Sequence, residues 1–139
     1  MKYKGYRQRN EFDCGEACLK TILKFYDVKS RISKYKAPLS LYDIVIESEK
    51  NGLVAHAMKG DFNELEKAIL AEEIKLPVIA HFEKEFGMHY EVIFEISKKQ
   101  VLSYDPASDF KVYTIAEFQS KWTGYLINFR KLGVSNEDY

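Results

Sequence analysis

Hydrophobic periodicity changes character once along this chain, at Pro77, and that change limits the folds open to it. Before Pro77 the apolar residues recur mainly three and four apart, the spacing of one helical face. After it, β-branched and aromatic residues come in short runs separated by turn residues, which is how strands read. The pattern is α+β.

In the first half, Cys14, Ala17, Cys18, Thr21, Ile22 and Phe25 share one face of a helix from Cys14 to Tyr26. Asp13 is its expected N-cap, and Glu16 is spaced to reach back to Asp13 in a capping box. Lys29 to Pro38 reads as a polar connection. Ser40 with Asp43 opens a second helix, which runs to about Lys50 and closes at Asn51-Gly52. Leu53 to Met58 reads as a short strand, and Asp61 caps a third helix from Phe62 to about Ala71. Beyond Pro77 the expected strands are Val78 to Phe82, His89 to Ile96, Val101 to Asp105, Phe110 to Tyr113 and Tyr125 to Phe129. The short Ser97-Lys98-Lys99 connection makes the second and third of these a β-hairpin, flanked by further antiparallel strands.

The chain has 139 residues, enough for one domain with its own core, assigned to residues 1–133. Residues 134–139 read as a polar, acidic tail or the start of a linker. Lys plus Arg and Asp plus Glu are 21 each, so no electrostatic ground exists for a nucleic-acid partner. Two cysteines make no disulfide framework, and the N-terminus lacks the apolar core of a signal peptide, which points to the cytoplasm. No apolar run reaches the roughly 20 residues of a membrane span.

The chemistry begins at Cys14. A thiol on the first residue of a helix sits over unpaired backbone N–H groups, and these with the positive end of the macrodipole favour thiolate over thiol. A cysteine nucleophile also needs a base within hydrogen-bond reach and a group that orients the base. Of three histidines, His56 and His81 lie near strand ends without an evident carboxylate partner and read as structural. His89 begins the first arm of the hairpin whose second arm ends at Asp105, so the turn brings these two to the same edge of the sheet. Cys18, one turn inside the helix on its apolar stripe, reads as packing. Zinc between Cys14 and Cys18 is disfavoured because no second ligand pair follows, and neither metal nor cofactor is expected.

Gln8 with Cys14-Gly15-Glu16-Ala17-Cys18-Leu19, then His89-Tyr90-Glu91-Val92, then Asp105-Pro106-Ala107 resemble the papain-like cysteine peptidase domain of bacteriocin-exporting ABC transporters. Pro77 to His81 and Glu117-Phe118 with Trp122-Thr123-Gly124 resemble other stretches of that family, in the same order. The resemblance implies a papain-like fold, with a helical half that carries the nucleophile packed on an antiparallel β-sheet that carries base and acid. It implies Cys14 as nucleophile, His89 as base, Asp105 as orienting carboxylate and Gln8 as oxyanion-hole donor. Roles read from the residues agree: Gln8 and the backbone N–H of Cys14 can converge on a developing oxyanion.

The resemblance further implies an endopeptidase that cuts after Gly-Gly or Gly-Ala at the end of the leader of a bacteriocin or signalling-peptide precursor. The implied partners are that precursor, with an amphipathic helical leader, and the membrane and ATPase domains of an exporter at the inner face of the cell membrane. Phe86, Gly87 and Met88, just before His89, are the candidate wall of a narrow glycine channel. Two other readings stay open on sequence: a module that binds leader or cargo without cutting, and a thiol acyltransferase with the same three residues.

Overall fold

The structure, a computed structural model, describes residues 2–33, 38–85 and 87–131. Its elements run α1 (Cys14–Phe25), α2 (Leu41–Lys50), β1 (Leu53–Lys59), α3 (Phe62–Leu70), β2 (Val78–Lys84), β3 (Gly87–Ile96), β4 (Gln100–Tyr104), β5 (Phe110–Thr114), α4 (Ile115–Lys121) and β6 (Trp122–Lys131). The expected tail from Val134 to Tyr139, the domain limit at 133 and part of the connection from Lys29 to Pro38 lie outside the described residues.

Helix starts follow from their caps. Ser40 and Asp43 exchange side-chain and backbone hydrogen bonds at α2, and Asp61 and Glu64 do the same at α3. Such caps are worth about 1 kcal/mol each and fix where each helix begins. A third capping box, Thr114 with Glu117, opens α4, a helix that the strand pattern alone does not reveal. Phe118 holds α4 in place by burying its ring completely. Consequently β6 begins at Trp122, directly after α4, rather than at Tyr125.

The six strands form one antiparallel sheet in the order β1-β6-β2-β3-β4-β5. The hairpin is flanked as expected, β2 pairing with β3 and β5 with β4. Both faces are covered, which is why the central strands read as continuous apolar runs. Ile79, Tyr90, Val92, Phe94, Ile127 and Phe129 face α1 and α2, joining Cys14, Cys18, Leu19, Ile22 and Ile44 in one core. Their neighbours Val78, Ala80, Phe82, Ile93 and Leu126 point the other way and join Phe62 and Leu65 of α3 and Phe118 of α4 in a second. The helices of the first half are thus divided: α1 and α2 cover one face, whereas α3 lies on the other.

Gly124 in β6 has φ +96°, and a Cβ there would come within 2.7 Å of the carbonyl oxygen of Gly60 in the β1–α3 connection. Gly52, also at positive φ (+89°), faces open space. Gly52→Ala should cost about 1–2 kcal/mol through backbone conformation alone. Gly124→Ala adds a clash with main chain that cannot swing aside. Urea unfolding should therefore show a larger loss for Gly124→Ala, and equal losses would mean that the contact with Gly60 relaxes freely.

Candidate active site

Cys14 is the first residue of α1 and is 7% exposed. Asp13 precedes it as N-cap, yet its side chain makes no cap hydrogen bond, and the expected capping box with Glu16 does not form. Arg9 takes both carboxylates instead: Nε donates to Asp13 Oδ2 at 3.1 Å and Nη2 to Glu16 Oε2 at 2.9 Å. Lys20 adds a 3.1 Å contact to Glu16. A charged guanidinium outcompetes the backbone for these acids, and the first turn of α1 is left without a side-chain cap beside the thiol.

His89 and Asp105 meet from adjoining strands. The β3–β4 ladder ends at Val92↔Tyr104, so Asp105 lies just past β4 and not at its last position. It begins a turn in which its N–H donates to Asp109 O at 3.1 Å and its C=O accepts from Ser108 N–H at 3.0 Å. His89 Nε2 bonds Asp105 Oδ1 at 2.7 Å, and Ala107 N–H donates to the same oxygen at 2.9 Å. Lys84 and Lys111 reach Oδ2 at 3.1 and 2.8 Å.

Burial alone would lower the His89 imidazole, but the hydrogen bond to Asp105, the nearby Cys14 and the charges of both raise it from 6.5 to about 9. With Nε2 on Asp105, Nδ1 is the ring nitrogen left for other partners. Burial pushes the Asp105 carboxyl up, and it is outweighed by the His89 and Lys111 hydrogen bonds and the Ala107 N–H, which hold it well below the usual carboxylate range. His89 and Asp105 are therefore hydrogen-bonded at 2.7 Å, with Cys14 near enough to act on the imidazole.

Gln8 comes close by a main-chain route: its N–H donates to Pro106 O at 2.9 Å, tying it to the turn after Asp105. Its side-chain Nε2 donates to Asn10 O at 2.8 Å, which uses one of two amide protons, and Oε1 is buried without a partner in the described structure. Gln8, Arg9, Asp13 and Glu16 line a cleft of about 200 Å³. A larger cavity, about 880 Å³, is lined by Tyr26, His56, Glu73 and Asn128 among others. It holds neither the thiol nor its base, so volume does not mark the chemistry here.

Gly87 and Met88 open β3 and are exposed, Met88 by 63%. Met88 shares the sheet face of Tyr90, the face that α1 covers. Phe86 lies outside the described residues. Cys18 is fully buried with its thiol pushed well up by desolvation, and both cysteines are free. His56 is exposed on β1, and His81 bonds Thr123 Oγ1 through Nδ1 at 2.9 Å, with its imidazole lowered by burial.

Three charged neighbours escape the sequence reading: Glu91, Lys84 and Lys111. The signal for Glu91 is its position, a carboxylate two residues after His89 and directly before the apolar stretch Val92-Ile93-Phe94. Ligand atoms of His89, Glu91 and Asp105 lie within 4.8 Å of one another, a spacing that a metal ion can use. The Lys84 ammonium contacts both carboxylates of this set.

A cysteine at a helix N-terminus near a histidine that bonds an aspartate at the end of an antiparallel sheet is the arrangement of the papain-like cysteine peptidases. Residues 2–132 match the Peptidase C39 family, and the chain belongs to that family. It is 32% identical over 145 aligned positions to the sublancin-168-processing and transport ATP-binding protein SunT of Bacillus subtilis (strain 168), covering 99% of this chain and 20% of that protein. The chain thus spans about a fifth of the length of this relative. The fold superposes with a TM-score of 0.77 on the peptidase domain of Streptococcus ComA, described as a bi-functional ABC transporter involved in a quorum sensing pathway. Identity there is 25%, and 93% of this chain and 98% of that one are covered. A double glycine motif protease from an AMS/PCAT transporter, solved with its leader peptide, shares the fold at a TM-score of 0.77 and 22% identity, over 94% and 92% of the two chains.

The raised His89 value fixes a pH dependence. Its imidazolium stabilises the folded chain fully below the ordinary value of 6.5, and that contribution is lost as pH rises through about 9. Asp105 acts at the other end: its contribution is present above the ordinary carboxylate range and is lost as pH falls below it. Thermal unfolding from about pH 6 to about pH 10 should show Tm falling toward the alkaline end, with a shallower fall in His89→Asn. The same slope in both proteins would assign the alkaline loss to other groups.

Proposed function

We propose that this domain is an endopeptidase that removes the leader from a bacteriocin or signalling-peptide precursor, cutting after Gly-Gly or Gly-Ala as the peptide is exported. The observation that carries the proposal is the His89–Asp105 hydrogen bond beside Cys14, the first residue of α1, which acts on the same imidazole. In this reading His89 Nδ1 takes the Cys14 proton, and Asp105 orients the imidazolium and stabilises its charge. The thiolate sulfur attacks the carbonyl carbon of the second small residue. The Cys14 backbone N–H and the remaining amide proton of Gln8 receive the oxyanion. Collapse breaks the C–N bond, His89 gives its proton to the leaving amine, and a thioester remains. Water, deprotonated by His89, then releases the leader and restores the thiol.

The choice of substrate is supported by the family and by the names of relatives that process and transport peptides. Gly87 and Met88, exposed beside His89, are proposed as one wall of a channel that excludes side chains larger than a methyl group at the cut. An amphipathic leader helix docks outside that channel, and the membrane and ATPase domains of an exporter are the partners, at the cytoplasmic face of the membrane. Among the described residues no helix is long and apolar enough to cross a membrane.

Mass spectrometry of a double-glycine precursor incubated with the domain is the direct test. Wild type and Cys18→Ser should release leader and core peptide; Cys14→Ala should bind the precursor and leave it whole. Equal processing by wild type and Cys14→Ala would remove the peptidase assignment.

Gln8→Ala separates two roles. Loss of an oxyanion donor should lower kcat by about 10²- to 10³-fold with little change in KM. A change confined to KM would make Gln8 a residue that binds substrate.

A further inference from the structure

Glu91 is a charged side chain that the proposed reaction does not use, and it is fully buried. A carboxylate in that position stays only if it is paired and hydrogen-bonded. Ser103 Oγ donates to Oε1 at 2.7 Å, and Tyr113 OH reaches Oε1 and Oε2 at 2.9 and 3.0 Å. Lys84 pairs with Oε2, and Lys111 Nζ lies 3.9 Å from the same atom. Burial and the Glu91 charge drive the Tyr113 hydroxyl well above its ordinary range, so it stays a donor.

The same two ammoniums hold Asp105 Oδ2. A carboxylate on a free χ2 presents either oxygen to a neighbour. Here Oδ2 is occupied by two cations and Oδ1 by Ala107 N–H, which turns Oδ1 toward His89 Nε2. Two ammoniums beside the imidazole would oppose its charge, however, and Glu91 Oε2 lies 3.9 Å from Nε2 on the side where it counters them.

We propose that Lys84, Lys111 and Glu91 are positioning residues for the His89–Asp105 pair: the ammoniums fix Asp105, and Glu91 both anchors the ammoniums and offsets their charge at His89. This rests on the reading of His89 as the base. The groups that face His89 are Cys14 from α1, Lys84 from β2, Glu91 on its own strand, Asp105 after β4, and Lys111 and Tyr113 from β5.

The signs of the effects test it. Glu91→Gln keeps the shape and the acceptor for Ser103 but removes a negative charge, so the titration midpoint of His89, followed by NMR, should fall by about one pH unit. Lys111→Met removes a positive charge from a partly exposed side chain and should raise the midpoint by about half a unit. The double variant should lie between the two. In cleavage, Glu91→Gln should lower kcat near pH 8 about ten-fold with KM unchanged within about two-fold. A side chain with only a packing role would give neither opposite shifts nor recovery in the double variant. An unmoved midpoint in either single variant, or shifts of the same sign, overturns the proposal, and Lys111→Met alone decides it if Glu91→Gln does not fold. The titration needs no substrate: opposite shifts in a chain that cuts no precursor would uphold the network and overturn the peptidase reading.

Discussion

The His89–Asp105 hydrogen bond is the contact on which the rest of the site depends, and four strands are needed to make it. In an antiparallel sheet the end of one strand lies beside the start of the next. Thus the end of β2 brings Lys84, the start of β3 brings His89 and Glu91, the end of β4 brings Ser103 with Asp105 just beyond it, and β5 brings Lys111 near its start with Tyr113 two residues on. All converge at one end of the sheet. Removing one partner from a buried ion pair typically costs about 3–5 kcal/mol, because the charge left behind is neither hydrated nor matched. Register is therefore fixed at this end by electrostatics as well as by the apolar faces.

The N-terminal segment is arranged by a separate set of contacts. Tyr6 N–H donates to Thr21 Oγ1 at 2.9 Å, and Gln8 N–H to Pro106 O, so the chain runs from the middle of α1 to the turn after Asp105 before it enters the helix. Gly5 permits this path: a Cβ there would fall 2.4 Å from the Tyr104 ring. Arg9 then ties the segment to Asp13 and Glu16. Both acids remain at the N-terminus of α1, where they complement the macrodipole although neither caps a backbone N–H through the expected box.

Much of this was legible in sequence because it rests on local rules. Ser40/Asp43 and Asp61/Glu64 announce helix starts, and the Val78-to-Ile96 runs announce strands. The hairpin brings His89 to Asp105 at the sheet end, though beyond the last rung rather than across it. What sequence missed is set by competition or by distance. Asp13 and Glu16 satisfy the capping-box spacing, but Arg9, a residue outside that motif, takes both. α4 is only seven residues long, too short for periodicity to register, and only Thr114 with Glu117 marks it. Lys84 and Lys111 lie on strands on either side of the hairpin, so nothing in their local sequence tells that they share Asp105. Nor did the helical first half reveal that α1 and α3 would cover opposite faces, since an amphipathic stripe states that a helix has a partner and not which one.

That division of faces constrains how Cys14 and His89 can approach each other. Cys14 belongs to the core on the α1 side, with Tyr90 and Val92, whereas Glu91 and Ile93 point to the opposite side. His89, two residues from Glu91, shares its face by the period of the strand. The pair cannot meet through the sheet. The ladder leaves an opening at one edge: β4 pairs with β3 only as far as Val92↔Tyr104, so β3 from Gly87 to Glu91 has β2 on one side and no β4 rung on the other. The early end of β4 thus does two things at once. It leaves β3 beside His89 unpaired on the β4 side, and it puts Asp105 outside the ladder, 2.7 Å from Nε2. Extending β4 by one more rung would pair that edge and return Asp105 to the strand.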